Sequence, residues 1–256
     1  MGTRQYVNVY DPRTDQLKII GKQQGLTGDR AGRVSKSNDG KILISTLGGI
    51  SMIDRSKKMI TNLSDRNGLL VGFSKCLADT GDKLWISSTQ KGVVVYDIET
   101  NTVKTIGKKE GLLSDVNWDM IKDRQGNFWA GSDSGITVIN PYNNTLQYLR
   151  EKNGLSNNVV YKLLLHSNGD IWAGTLKGIS IINTHNLTIT NLTLKEGLVP
   201  QEIYDMVEHD GIVYAGSSDG LIAIQKTAAT TGEKQMWSFI KYGKREGFPY
   251  NDYNQN

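Results

Sequence analysis

The chain has 256 residues, with 28 glycines, 4 prolines, a single cysteine and a net charge of +4. One cysteine excludes an internal disulfide framework, no run reaches the roughly 18 apolar residues of a membrane span, and no charged-then-apolar leader opens the sequence. Its basic residues are scattered as short pairs, Lys57-Lys58, Lys108-Lys109 and Lys244-Arg245, and are not gathered on one face as a nucleic-acid surface requires.

Residues 4–24 are expected to supply two strands, because Val7-Asn8-Val9-Tyr10-Asp11 matches Val93-Val94-Val95-Tyr96-Asp97 further on. A Gly-Leu pair then sets a beat. It stands at Gly25-Leu26, Gly68-Leu69, Gly111-Leu112, Gly154-Leu155 and Gly197-Leu198, each step 43 residues, with a degenerate copy at Gly247-Phe248 after 50. Asp11, Asp54, Asp97, Asn140 and Asn183 keep the same period, and Gly49, Gly92, Gly135, Gly178 and Gly220 follow it to within one residue. A period of roughly 40–50 residues is the signature of propellers and repeat arrays.

Each copy reads as four short strands. In the third they are Asn117–Lys122, Phe128–Gly131, Ile136–Asn140 and Leu146–Arg150. A Gly-bearing hairpin loop, Asp123–Asn127, joins the first two, and Asn140-Pro141 after the third suits a type I turn. Runs of β-branched and aromatic residues bounded by turn residues argue an all-β protein, and no window keeps a 3.6-residue apolar period long enough for a helix. Four antiparallel strands per repeat is a propeller blade. Blades stack face to face, which accounts for runs such as Ile136-Thr137-Val138-Ile139, too apolar for a sheet with one wet face. Trp85, Trp129 and Trp172 share one place in the repeat and are expected to wedge between blades. Complete blades are expected at 25–67, 68–110, 111–153, 154–196 and 197–246, with partial blades at 4–24 and 247–256, in a single propeller domain or fragment. The terminal pieces are expected to close the ring imperfectly or to self-associate, or to meet neighbouring domains of the same protein. The extra length before Gly247 is expected around Thr227–Gln235.

Recognisable catalytic chemistry is missing. His166 and His209 are 43 residues apart, which makes them repeated turn residues more readily than a metal pair. No Cys/His cluster has zinc spacing, and there is no nucleophile elbow or phosphate loop. Cys76 falls in a first strand, as a small buried residue. Glu202 and Asp205 are the acidic candidates, unpaired by sequence alone. No cofactor, metal or catalytic residue is expected. Trp118-Asp119 is an unrepeated Trp-Asp, against a WD40 array, and Gly48-Gly49 occurs once, against a kelch array.

The repeat is clearest in the fourth copy, as Gly154-Leu155-Ser156, Gly169-Asp170-Ile171-Trp172-Ala173-Gly174-Thr175 and Gly178-Ile179-Ser180-Ile181-Ile182-Asn183. It resembles the two-component regulator propeller repeat, over nearly the whole chain. The tail Gly247-Phe248-Pro249-Tyr250-Asn251-Asp252-Tyr253-Asn254 is similar to a variant found in such sensors. That resemblance implies the periplasmic sensor half of a hybrid two-component system, non-catalytic in this chain, with a glycan fragment as ligand. A propeller enzyme of the streptogramin-lyase kind and a protein–protein scaffold are the alternatives. Ligand contact is expected in the segment after each Gly-Leu, where the positions vary: Arg30, Ser74, Asn117, Asn158 and Gln201. Trp118, Tyr161 and Tyr204 recur one period apart, placed either to stack on sugar rings or to pack between blades.

Overall fold

The computed structural model describes residues 7–28, 31–37, 40–64, 83–227, 236–243 and 247, together with the backbone of 74–79. Strands dominate, and within each sheet every strand pairs with the next in the chain. β1 (Val7–Asp11) and β2 (Gln16–Ile20) form a two-stranded antiparallel sheet. Four-stranded sheets follow. The first holds β3 (Val34–Lys36), β4 (Ile42–Thr46), β5 (Gly49–Asp54) and β6 (Met59–Leu63), the second β7 (Ser74–Asp79), β8 (Lys83–Ser88), β9 (Gly92–Asp97) and β10 (Thr102–Ile106). The third holds β11 (Asn117–Lys122), β12 (Phe128–Ser132), β13 (Gly135–Ile139) and β14 (Leu146–Leu149). β15 (Val160–Leu165), β16 (Ile171–Thr175), β17 (Gly178–Ile182) and β18 (Ile189–Leu192) make the fourth, and β19 (Ile203–His209), β20 (Ile212–Ser217), β21 (Gly220–Lys226) and β22 (Trp237–Tyr242) the fifth. Cys76 lies in β7, where only the backbone is described. The long connection before Gly247 joins β21 to β22, and residues 228–235 of it lie outside the described residues.

The chain divides into two compact units, residues 1–120 and 121–256, and the division falls inside β11. In the first unit, Leu43, Ile50 and Leu63 pack against Leu84, Ile86, Val94 and Tyr96 of the next sheet. Val7, Leu26 and Ile44 form a second core there. In the second unit, Trp129, Ile136, Val138 and Leu149 meet Val160, Leu163, Ile171 and Ala173. Trp172, Ile179 and Ile181 meet Ile203, Met206, Val213 and Ile222 in turn. Alternate residues of one strand thus enter opposite cores, Ile171 and Ala173 one and Trp172 the other, as a period of two dictates. Every residue of β16 and β17 is buried for this reason, whereas the outer strands β6, β10, β14 and β18 are largely open to solvent and each ends on one buried residue, Leu63, Ile106, Leu149 and Leu192.

The Gly-Leu beat has a local cause. A single 3-10 turn precedes the pair at Lys22–Gln24, Lys108–Glu110, Glu151–Asn153 and Leu194–Glu196. The third residue of each turn reaches back to a backbone N–H: Gln24 Oε1 to Gly21 (2.8 Å), Glu110 Oε2 to Gly107 (2.7 Å), Asn153 Oδ1 to Arg150 (3.1 Å) and Glu196 Oε2 to Thr193 (2.9 Å). That satisfies a donor the short turn would leave orphaned. The glycine then takes a left-handed conformation, with φ of 102° at Gly25, 105° at Gly111, 106° at Gly154 and 95° at Gly197, which costs a residue without Cβ little. The leucine swings into the core; Leu26, Leu112, Leu155 and Leu198 are all buried.

The periodic Asp and Asn close the turn between third and fourth strands. Asp54 Oδ1 accepts from Ser56 N (3.0 Å), Ser56 Oγ (2.6 Å) and Lys57 N (3.1 Å), and Asp97 Oδ1 accepts from Thr100 N (2.9 Å) and Glu99 N (3.1 Å). Asn140 and Asn183 do the same with neutral carbonyls. Hydrogen bonds to the charged form favour it. The Ser56 hydroxyl holds Asp54 below its ordinary 3.8, and the Thr100 N–H holds Asp97 below the same value. A carboxyl depressed in the folded state adds stability that is complete above its unfolded pKa and is lost as pH falls through the folded one. Urea midpoints are therefore expected to hold from neutrality to about pH 5 and to decline below 3.8. Replacing Asp54 and Asp97 with Asn should flatten part of that decline; an unchanged acid limb in the double variant would remove these turns as its cause.

Candidate functional site

The repeat delivers the start of each sheet's first strand just after the Gly-Leu turn. Of the eight positions expected to face a ligand, Arg30 lies outside the described residues, and Ser74 is described in backbone only, at the start of β7. Asn117 is buried and its Nδ2 donates to Ser114 O at 3.0 Å. Asn158 clasps the preceding turn: its Oδ1 accepts from Glu151 N (2.9 Å) and its N donates to Glu151 Oε1 (3.0 Å). Asp115, one period earlier, accepts from Lys108 N in the same way (2.8 Å). Gln201 is half-buried, and its carbonyl accepts from Gly178 N at 2.8 Å. Trp118, Tyr161 and Tyr204 are half-buried.

The two tyrosines are brought together. In β15, Val160 pairs with Thr175 and Lys162 with Gly174, so Tyr161 is an extra residue in the ladder. In β19, Ile203 pairs with Ser217 and Asp205 with Gly216, so Tyr204 is extra in the same sense. β7 carries a matching irregularity at residue 75. These are β-bulges, which leave one residue unpaired and re-aim its side chain. Tyr161 and Tyr204 sit 43 residues apart on these bulges, with ring centroids 5.3 Å apart and planes tilted by 55°. The next residue on each strand is charged: Lys162 Nζ lies 2.7 Å from Asp205 Oδ1, with the lysine side chain 12% exposed and the aspartate 71%. Glu202, just ahead of β19, accepts from Ser218 Oγ at 3.0 Å. Asp205 and Glu202 carried no pairing in the sequence, and Lys162 carried no signal at all, because a bulge cannot be seen in a residue pattern.

A second cluster lies at the opposite end of the first strands. Trp129 Nε1 donates to the buried Asp123 Oδ2 at 2.7 Å. One period on, His166 replaces Asp123, and its ring stacks on Trp172 (centroids 5.2 Å, planes 10° apart). Trp172 Nε1 is buried without a hydrogen-bond partner among the described residues, and Trp237 meets the ring edge-on at 5.5 Å. His166 Nε2 lies 3.6 Å from Glu208 Oε1. Burial pushes Glu208 up, but the hydrogen bonds from Ser167 and the His166 charge outweigh it and hold the carboxyl below its ordinary range. His209, the other member of the spaced pair, is exposed beside Asp210. Among the described residues no group of three His, Cys, Asp or Glu side chains is placed to hold a metal, and no helix is long and apolar enough to cross a membrane.

Successive four-stranded antiparallel sheets in chain order, packed on one another within each unit, define an all-β protein of the propeller-like class. The profile of DUF5074, a domain of unknown function, matches residues 81–226, more than half of the chain. The chain belongs to that family. No curated protein sequence matches it. Among solved structures it is similar to the extracellular domain described as that of a one-component system from B. thetaiotaomicron, BT4673, with a TM-score of 0.73 at 18% identity, covering 93% of this chain and 33% of that one. The extracellular domain described as that of the hybrid two-component system BT3049 from the same organism gives 0.71 at 17% identity, covering 94% and 33%. Virginiamycin B lyase from Staphylococcus aureus gives 0.60 at 16% identity, covering 82% and 69%. The chain thus spans about a third of the length of the two signalling domains, and at these identities the likeness is one of fold.

Proposed function

We propose that the chain is a non-catalytic, ligand-sensing β-propeller from the extracytoplasmic, periplasmic sensor part of a two-component signalling protein, and that its ligand is a glycan fragment. Its four-stranded sheets within residues 25–67, 68–110, 111–153, 154–196 and 197–246 are blades, and the two-stranded sheet within 4–24 is part of a further one; of the partial blade expected at 247–256, residues 248–256 lie outside the described residues. The observation that carries the reading is the fold likeness, at TM-scores of 0.73 and 0.71, to extracellular domains of signalling systems across more than nine-tenths of this chain. The resemblance of the fourth copy to the two-component regulator propeller repeat supports it as well. Binding is assigned to the Gly-Leu end of the first strands, where Tyr161, Tyr204, Asn158 and Gln201 gather variable chemistry on a fixed scaffold.

Calorimetric titration of the protein with a panel of neutral, amino and acidic oligosaccharides tests the reading. Saturable heat with at least one member is expected, weakened by Tyr204→Ala. Silence across the panel contradicts the glycan ligand.

The fold likeness to virginiamycin B lyase favours a second reading, a propeller enzyme. It needs a histidine and acids converging in the open. The nearest such pair, His166 and Glu208, is largely enclosed, with 15% and 13% of the side chains exposed, and the imidazole is stacked on Trp172. Turnover of a streptogramin, abolished by His209→Ala or by a chelator, would favour the enzyme.

A further inference from the structure

We propose that Tyr161, Tyr204 and Asp205 form a subsite for a saccharide ring that is neutral or bears an amine, and that the subsite rejects uronic acids. The inference rests on the glycan reading above and narrows it to a place and a charge.

The place follows from the bulges. Regular alternation would send Tyr161 and Tyr204 into the packed faces between sheets, where their neighbours Val160 and Ile203 are fully buried. The extra residue in each ladder breaks the alternation at these two positions, and both rings keep part of their surface in solvent. Tilted at 55° and 5.3 Å apart, they form an angled aromatic wall. The negative face of such rings attracts C–H and cationic groups.

The charge follows from unequal exposure. Lys162 and Asp205 are paired at 2.7 Å, yet 71% of the aspartate side chain is open to solvent against 12% of the lysine. Asp205 directly follows Tyr204 in β19 and its Oδ1 also accepts from Met206 N (2.9 Å), which sets an exposed carboxylate at the edge of the aromatic wall. An ionised carboxylate only accepts hydrogen bonds, so it matches sugar hydroxyls and an ammonium group. It offers nothing to a second carboxylate and repels it. Glu202, held by Ser218 Oγ, adds negative charge from the same strand start. The net charge of +4 acts the other way at long range, but that field is screened beyond about 8 Å at physiological salt, and contact chemistry decides the bound state.

The experiment compares dissociation constants of the wild-type protein for a glucosamine trimer, maltotriose and a galacturonic acid trimer, all in 0.15 M salt. The glucosamine trimer is expected to bind tightest and the galacturonic acid trimer at least about tenfold more weakly, the scale of one charge-assisted contact. Asp205→Asn should close that gap. Tyr161→Ala and Tyr204→Ala should each weaken the glucosamine trimer about tenfold, while Tyr161→Phe, which keeps the ring, stays near wild type. Binding of any trimer that is indifferent to all three substitutions overturns the subsite and leaves the sensor reading standing. A galacturonic acid trimer as tight as the others overturns the charge preference. No binding of any trimer overturns the saccharide reading, and this subsite with it.

Discussion

Gly178→Ala is expected to cost about 3–5 kcal/mol, whereas Gly154→Ala costs about 1–2 kcal/mol. Both glycines have positive φ, 115° at Gly178 and 106° at Gly154, so both substitutions carry the strain of placing a Cβ in the left-handed region. They differ in what the new atom meets. At Gly154 the nearest atom would be Ile189 Cβ at 3.7 Å, an ordinary contact. At Gly178 it would be the backbone oxygen of Leu192 at 2.3 Å, which belongs to the neighbouring strand and cannot rotate away. The matching glycines at the starts of third strands meet the same obstacle, at 2.0 Å for Gly49, 2.4 Å for Gly92 and 2.5 Å for Gly220. Denaturant midpoints of the two variants measure the difference. Equal losses would mean that the third and fourth strands separate more easily than their ladder indicates.

The second large effect separates two tryptophans that the repeat makes equivalent. Trp129→Phe and Trp172→Phe remove the same indole nitrogen from the same place in successive sheets, and both side chains are buried. Trp129 Nε1 donates to Asp123 Oδ2, whose carboxylate also accepts from Asn127 N (2.8 Å) and Asn127 Nδ2 (3.0 Å). Losing the indole donor leaves a buried charge under-satisfied, a cost of about 1–3 kcal/mol beyond the lost packing. Trp172 Nε1 has no partner to lose among the described residues, so its replacement costs packing alone. Trp129→Phe should therefore be the more destabilising by about 1–3 kcal/mol, and Asp123→Asn should reduce that margin. A larger loss at Trp172 would place the weight on its stacking with His166 and Trp237 instead.

The strands were legible because their causes are local and repeated. The third copy was expected at Asn117–Lys122, Phe128–Gly131, Ile136–Asn140 and Leu146–Arg150, and the strands run Asn117–Lys122, Phe128–Ser132, Gly135–Ile139 and Leu146–Leu149. The burial of Trp85, Trp129 and Trp172 followed from one shared place in the period. The 3-10 turn before each Gly-Leu was not legible as an element, since three residues are too few to show a period. Its signal was the Gln, Glu or Asn just ahead of the glycine. The site was visible only in part. Tyr161 and Tyr204 announced themselves by spacing, but their contact depends on bulges, which are decided by packing between sheets. Asn158 looked like a variable surface residue, and its work in clasping Glu151 follows from backbone geometry that the residue pattern does not carry. The pairing of Lys162 with Asp205 crosses two sheets and lay beyond any local rule.

The central claim is that this chain binds a ligand and leaves it intact. It is tested most directly by equilibrating the protein with a mixture of oligosaccharides and a streptogramin, separating the complex by gel filtration, and identifying bound and free species by liquid chromatography with tandem mass spectrometry, because ring opening by elimination leaves the mass of a cyclic substrate unchanged. The account predicts one oligosaccharide retained at saturable stoichiometry with its mass unchanged, and every free species unaltered after prolonged incubation. Retention of no saccharide, together with a streptogramin converted to its linear product, would contradict it.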